Sequence, residues 1–472
     1  VSAAGVGAAA GAPGGPVQRK GRNTELVLVF FAIGIAAAAL ASVELGVMGE
    51  VTDRVGLYTA VFAAPALLAH LVIRLRADYA DPVLLPTVLA LNGLGLAMIH
   101  RLDLARAEAA GDDLTASIAG RVLGQLGWSV LGMVLLMLVV WLVPDHRVLS
   151  RYTYLTFIAG VVLLLLPLIP GLGVEINGAR IWVIVFGQSF QPGEAAKIAL
   201  VVAFSSYLMV HADALALAGR RVLGLDLPRG RDLGPILTVG MLALAILVFQ
   251  RDLGAAAMLF GVFVVLLFVA TERLGWLVVG ALMAATGVFV AYQLFGHVRV
   301  RVQAWLDPFA DPDANFQIIQ SLYGLAFGGI VGTGLGQGYP YLVPFAESDF
   351  ITSALGEELG LTGLMAVIVL YGVLVARGLR AALGARDQFG TLLATGLATV
   401  VGLQVFVIVG GVTGLIPLTG LTTPFLSLGG SSLVMNWVLV ALLVRVSDAG
   451  RRPPPPAPEP LAEALTQAVP LR

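Results

Sequence analysis

Cysteine is absent from the 472 residues, only 12% of them carry charge, and there are five histidines. Without a thiol there is no cysteine nucleophile, no disulfide and no Cys-ligated metal. The histidines, at 70, 100, 146, 211 and 297, are too scattered to form a zinc set. Charge at about half the usual ~25% cannot solvate the two or three polar shells that a soluble chain of this length needs. A soluble enzyme is therefore excluded, and so is a disordered chain, because 58% of the residues are hydrophobic before the 57 glycines are added. The net charge of −1 leaves no electrostatic footprint for nucleic acid. No repeat of fixed period is present. The glycines near 328–338 lack GxGxxG spacing in a strand–helix unit, which argues against a nucleotide site. Ser431 and Ser432 have no histidine nearby to complete a triad.

What the sequence has is long apolar runs. A bilayer crossing needs about 20 mostly apolar residues, because lipid offers the backbone no hydrogen-bond partners. Twelve such runs are found, near 25–46, 57–75, 82–100, 121–143, 152–171, 192–210, 234–250, 253–270, 274–293, 351–376, 389–411 and 424–446. The expected fold is an all-α polytopic membrane protein of about twelve spans. With the N-terminus cytoplasmic, 19 of the 28 basic residues fall on the cytoplasmic side, and every cytoplasmic loop has at least one. Both termini are then expected inside. Residues 1–24 read as a disordered cytoplasmic segment. The first apolar run is too long for a leader h-region of about 7–15 residues, and reads as a retained helix. Residues 447–472 form a Pro-rich cytoplasmic tail.

Polar residues are concentrated on the other side. One loop, 294–350, far exceeds the usual connection length and precedes the tenth span. It contains His297, Arg299 and Arg301, then Trp305, then Asp307, Asp311 and Asp313, and then a half-apolar stretch from Phe316 that reads as interfacial or re-entrant. Other extracytoplasmic polar groups are Glu175 to Arg180 ahead of Trp182, the turn Gln250-Arg251-Asp252, and Arg121 with Gln125 one helical turn later. Ionisable groups at membrane depth mark function by default. Here they are Glu194 and Lys197 in the sixth span and Glu357 and Glu358 in the tenth. The other reading is a buried ion pair between Lys197 and one of these glutamates.

Six ordered blocks carry a resemblance: NGARIW (177–182), QPGEAAK (191–197), QRDLG (250–254), NFQIIQSLYGLAFGGIVGTGLGQG (315–338), ESDFITSALGEELGLTG (347–363) and IPLTGLTTPFLSLGGSS (416–432). The chain resembles the SEDS (shape, elongation, division and sporulation) membrane proteins of the RodA/FtsW/SpoVE type, and most of all actinobacterial RodA-type members. The resemblance implies a ten-helix glycosyltransferase core over 82–446, with 25–75 as two extra N-terminal helices. It implies a peptidoglycan glycosyltransferase that polymerises lipid II at the extracytoplasmic face of the bacterial cytoplasmic membrane. A class B penicillin-binding protein is the implied partner. The family's essential carboxylate matches Asp349, its QPDLG aspartate Asp252, its QPSE–K pair Glu194 and Lys197, and its loop arginine region Arg180. Departures are Ile181 where a second arginine is frequent, Arg251 in place of proline, and Phe345 and Glu347 where PEAHTDF has glutamate and histidine. The usual histidine and first glutamate of that stretch are therefore not available here, and an asparagine often found near Ile408 is absent.

The chemistry implied is attack of a sugar 4-hydroxyl on a C1 activated by a lipid pyrophosphate. Asp349 is the candidate general base, with Glu347 and Phe350 expected to raise its pKa by repulsion and desolvation. The other reading makes Ser348 or Asp349 a helix N-cap. Arg121, Arg180, Lys197 and Arg251 are the candidate pyrophosphate ligands, while Arg299 and Arg301 read as interfacial anchors. Gln125, Asn177, Trp182, Glu194, Asp252, Glu347, Glu357, Glu358 and Ser431 are expected in support. No cofactor is required by the sequence. A divalent cation, Mg or Mn, held by Asp307, Asp311 or Asp313 stays open as an alternative. Two competing functions also stay open: a lipid II flippase, which would place ionisable groups at the midplane, and a non-catalytic scaffold that activates a transpeptidase.

Overall fold

A computed structural model describes residues 21–111, 120–176, 179–185, 187–217, 220–222, 225–227 and 250–453. The apolar runs form helices α1 (Arg22–Met48), α2 (Asp53–Arg76), α3 (Leu84–Ala110), α4 (Arg121–Leu142), α5 (Thr153–Leu165), α6 (Pro192–Leu217), α7 (Leu253–Thr271) and α8 (Gly275–Leu294). They continue with α9 (Gly296–Leu306), α10 (Phe316–Gly328), α11 (Ile351–Gly384), α12 (Gln388–Val412) and α13 (Gly430–Arg451). Among the described residues eleven helical segments are long and apolar enough to cross a membrane. They coincide with eleven of the twelve expected spans. The twelfth, 234–250, lies outside the described residues except for Gln250.

Helix ends follow their residues. Asp252 caps α7 by accepting from Ala255 N (2.9 Å), and Asp387 caps α12 by accepting from Gly390 N (2.8 Å). In the core, α3 and α13 are buried along most of their length, whereas α5 and α8 are almost wholly exposed around the edge. Lipid supplies no hydrophobic drive between helices, so they associate through close packing. Gly132 of α4 shows this, since a Cβ there would sit 2.2 Å from the Trp437 ring.

Three connections differ from plain loops. Between α5 and α6 a three-stranded antiparallel sheet forms from β1 (Gly173–Ile176), β2 (Ala179–Val185) and β3 (Gln188–Phe190), with Val174 opposite Trp182 and Val183 opposite Phe190. The Ile-Trp-Val-Ile-Val run favours a strand over a helix. A short hairpin, Arg220–Val222 with Leu225–Leu227, follows α6. The expected long loop contains α9 and α10. At 13 residues, α10 is about 20 Å long, too short for the ~30 Å hydrocarbon core. It packs against α11.

After α10 the glycine-rich chain enters a gap in α11. Gly360 has φ 69° and ψ −174°, which breaks the helical ladder there. The freed groups pair with the loop: Thr333 N and Gly334 N donate to Glu357 O and Glu358 O (3.1 and 2.9 Å), and Leu361 N donates to Gly329 O (2.9 Å). A Cβ on Gly360 would lie 2.3 Å from Gly332 N, so only glycine fits this conformation and this contact. Broken backbone inside a membrane protein requires such internal partners.

Candidate active site

The glycine-rich loop leads to a tight turn immediately before α11. Phe345 has φ 57°, a left-handed conformation unusual for an aromatic residue, and its carbonyl accepts from Ser348 N (3.0 Å) and Phe350 N (3.3 Å). Glu347, Ser348 and Asp349 project from this turn. It is fastened to the connection between α12 and α13: Leu428 N donates to Glu347 O (2.7 Å) and Ser427 Oγ donates to Ser348 O (2.6 Å). That connection is in turn held by four helices. Asn92 of α3 donates to Phe425 O (3.2 Å), Gln125 of α4 to Ser427 O (3.0 Å), Tyr371 of α11 to Pro424 O, and Gln404 of α12 to Thr422 O (2.8 Å). Among the described residues, three of the four non-glycine residues with positive φ, Arg251, Phe345 and Phe425, belong to this region. Each costs of order 1–3 kcal/mol, and such strain persists where surroundings over-determine it.

Asp349 sits two residues before α11 and is partly buried. Burial pushes its carboxyl up to about 6, against the opposing pull of the Arg301 guanidinium; Glu347 adds to the rise and a hydrogen bond from Ser348 restrains it. The expected repulsion from Glu347 is therefore present but secondary to desolvation. Phe350 is the residue that caps α11, with no side-chain hydrogen bond in that role, so neither Ser348 nor Asp349 acts as an N-cap. The Asp349 carboxyl instead faces Gly420, where a Cβ would stand 4.0 Å from Oδ2.

A second carboxylate cluster adjoins it. Asp252, at the tip of α7, is raised by burial and by Glu194, while Lys197 and Arg301 pull it down. Lys197 Nζ is 2.8 Å from Glu194 Oε2 and donates to Gln404 Oε1 (3.3 Å). A narrow cavity of about 10 Å³, partly open to solvent, is lined by Gln191, Glu194, Lys197 and Asp252. Arg301 joins the two clusters: its guanidinium donates to Thr419 O (3.1 Å), next to Gly420. Arg301 is thus turned toward the two carboxylate clusters and is not the interfacial anchor its sequence context suggests. On α9 it shares a face with the buried Val298 and Ala304, three positions to either side, whereas Arg299 lies on the exposed side. Arg299 is exposed and donates to the carbonyls of Tyr292 and Gln293 (3.1 and 2.9 Å) at the end of α8.

The remaining candidates divide. Arg121 does not point into an open anion site; it pairs with Glu347, which also holds Arg106 (2.6 Å). Gln125 also accepts from Gly429 N (3.3 Å), and Ser431 Oγ accepts from Gln191 N (3.3 Å), so both brace the walls. Glu357 and Glu358 lie away from Lys197 and hold the glycine-rich loop. Glu357 accepts from Tyr339 N (2.6 Å), and Glu358 accepts from Gly336 N (3.1 Å) and pairs with Arg101 (2.8 Å). Arg180 and Trp182 lie on β2, where Arg180 Nε is buried without a hydrogen-bond partner. Arg251 forms the strained turn before Asp252. Asn177 lies outside the described residues. Asp307 and Asp311 each accept a local backbone N–H (3.2 and 3.1 Å). Among the described residues no group of three or more His, Asp or Glu is placed to hold a metal.

The FtsW/RodA/SpoVE family, described as "Cell cycle protein", matches residues 82–452. The chain belongs to this family. It is 48% identical over 438 residues to peptidoglycan glycosyltransferase RodA of Mycobacterium bovis, covering 92% of each chain. It is 44% identical over 453 residues to the Mycobacterium leprae protein of that name, covering 95% of this chain and 96% of the relative. Stage V sporulation protein E of Bacillus subtilis is 35% identical over 375 residues, covering 79% of this chain and 98% of the relative. Among solved structures, one from a peptidoglycan synthase complex that coordinates polymerization and crosslinking has a TM-score of 0.64 at 28% identity, covering 79% of this chain and 99% of its own. Rod shape determining protein RodA of Thermus thermophilus has a TM-score of 0.54 at 26% identity, with 78% and 96% covered. The FtsW/RodA/SpoVE match takes in every helix from α3 onward and begins after α1 and α2.

Proposed function

We infer that this multi-pass membrane protein is a peptidoglycan glycosyltransferase that polymerises lipid II on the face carrying the α8–α11 loop. The observation that carries the reading is Asp349: a partly buried carboxyl, raised to about 6, at the surface end of a span and unused as a cap. The 4-hydroxyl oxygen of one lipid-linked sugar attacks C1 of the other. Its proton passes to the Asp349 carboxylate, the C1–oxygen bond breaks, and the lipid pyrophosphate leaves with the electron pair. A base whose pKa lies near the working pH combines a populated anion with useful basicity. Arg301 is the cation best situated to offset charge on the departing pyrophosphate, and Lys197, Arg180 and Arg251 are the further candidates. Glu347, clamped by Arg106 and Arg121, fixes the turn from which Asp349 projects. No step in this reading is routed through a metal; a divalent ion would act by neutralising the same pyrophosphate.

The distribution of basic residues supports an orientation with both ends of the chain cytoplasmic and the site outside, in a bacterial plasma membrane. Partnership with a crosslinking enzyme, a class B penicillin-binding protein, fits the solved neighbour from a complex that couples polymerization to crosslinking. The observation favouring transport of lipid II instead is the break in α11 beside Glu357 and Glu358. Those carboxylates are engaged with Arg101 and the glycine-rich loop, which suits a scaffold more than a substrate path. The test is purified protein supplied with lipid II, alone and with its transpeptidase. Glycan strands that a muramidase digests support the reading, and intact lipid II in both samples contradicts it.

A further inference from the structure

Although the family match begins at Pro82, the preceding helices touch the loop that carries the candidate base. α1 runs closely along α3, where a Cβ on Gly93 would come within 2.4 Å of the Ala36 Cβ. The last turn of α1 then meets the glycine-rich loop. A Cβ on Gly46 would stand 2.3 Å from Leu335 O and 3.0 Å from Gly336 Cα, and a Cβ on Gly336 would stand 2.9 Å from Val43 O. Backbone thus lies directly on backbone, and no side chain larger than hydrogen fits on either side. Gln337 Nε2 donates to Gly46 O (2.7 Å) and closes the contact. From the opposite side Glu358 accepts from Gly336 N (3.1 Å) and Arg101 donates to Gly338 O (2.7 Å).

Glu44 secures the end of α1 that makes these contacts. Fully buried, it accepts from Thr52 N and Thr52 Oγ1 (2.7 and 2.8 Å), which sets the α1–α2 turn. Its other oxygen is 3.1 Å from His100 Nε2, one residue before Arg101. The loop segment 335–338 is therefore held between a helix outside the family match and the Arg101–Glu358 pair inside it. Twelve residues after Gln337 the same chain reaches Asp349.

We propose that the α1–α2 hairpin is a built-in clamp that positions the catalytic loop, with Gly46, Gln337 and Glu44 as positioning residues. Its effect on rate rests on the reading of Asp349 given above; its effect on the loop does not. A displacement of about 1 Å near reacting groups can cost on the order of 10²-fold in rate.

The test compares full-length wild type with Gly46→Leu and Gln337→Ala by amide hydrogen exchange and by lipid II polymerisation. Leu45→Ala, on the exposed side of the same turn, is the control. The expected result is faster exchange over residues 333–345 in both variants and not in the control. The kcat falls about 10-fold or more with KM changed little, as misplacement of the reacting groups predicts. If Gly46→Leu fails to fold, Gln337→Ala, which only shortens a side chain, decides the matter. Unchanged exchange overturns the clamp at any activity, and raised exchange with unchanged kcat overturns its positioning role. If wild type makes no polymer, the reaction assignment fails instead, and exchange alone still tests the contact.

Discussion

Replacing Asp349 by asparagine should make the protein inactive and no less stable, a combination that separates chemistry from structure. The carboxyl is lifted from 3.8 to about 6, chiefly by burial. That gap corresponds to roughly 3 kcal/mol spent on holding the ionised form in the folded protein. The figure is a ceiling, because Asp349 is only partly buried. Since the folded pKa lies above the unfolded one, this destabilisation is absent below about pH 4, grows as pH rises to about 6, and is complete above that. At pH 8 the Asp349→Asn protein should therefore melt at or above the wild-type temperature, and the difference should shrink toward pH 4.5. Polymerisation should fall by about 10²–10⁴-fold through loss of the base. In wild type, kcat/KM should drop as pH is lowered through about 6, following protonation of the same group. Thermal unfolding in detergent and initial rates of strand formation at pH 5 to 8 provide the measurements. An Asp349→Asn protein that keeps a rate near wild type, or loses activity only by melting earlier, refutes the argument.

Other consequences follow from the same contacts. Glu347→Gln removes a negative neighbour of Asp349, and Arg301→Gln removes a positive one, so the acidic limb of the rate profile should move to lower pH in the first and higher pH in the second. Shifts in one common direction would contradict the assigned electrostatics. Lys197→Met leaves Glu194 buried without its 2.8 Å partner, which should cost about 3–5 kcal/mol. Most of that loss should return in the Lys197→Met, Glu194→Gln double variant, read by thermal unfolding. Gly360→Ala forces a Cβ to 2.3 Å from Gly332 N at a φ that alanine avoids. Markedly lower yield of folded protein by size-exclusion chromatography is expected.

Hydropathy made the spans legible because membrane insertion depends on local composition: eleven described helices occupy the expected runs. The break at Gly360 is hidden inside one of those runs, since Leu359, Leu361 and the following apolar residues keep the window hydrophobic while the helix is kinked. Of the nine basic residues outside the cytoplasmic set, four read as anion ligands and two as interfacial anchors. Two of the other three, Arg101 and Arg106, organise the loop. Their partners Glu358 and Glu347 are 257 and 241 positions away, and no local pattern encodes such pairings. Arg301 reads as an anchor from sequence because it alternates with apolar residues in the basic stretch His297-Val298-Arg299-Val300-Arg301. The bracing roles of Asn92, Gln404 and Tyr371 carry a weaker signal in the sequence, as polar side chains within apolar spans. Asp349 and Asp252 were accessible through motif order alone, whereas the α1 contact with residues 335–338 required three dimensions.

The most direct test of the central claim follows two fates of labelled lipid II in proteoliposomes: incorporation into strands and movement between leaflets. The account predicts strand formation by wild type, none by Asp349→Asn, and leaflet distributions that are the same for both proteins. Protein-dependent leaflet exchange without any polymer would contradict it.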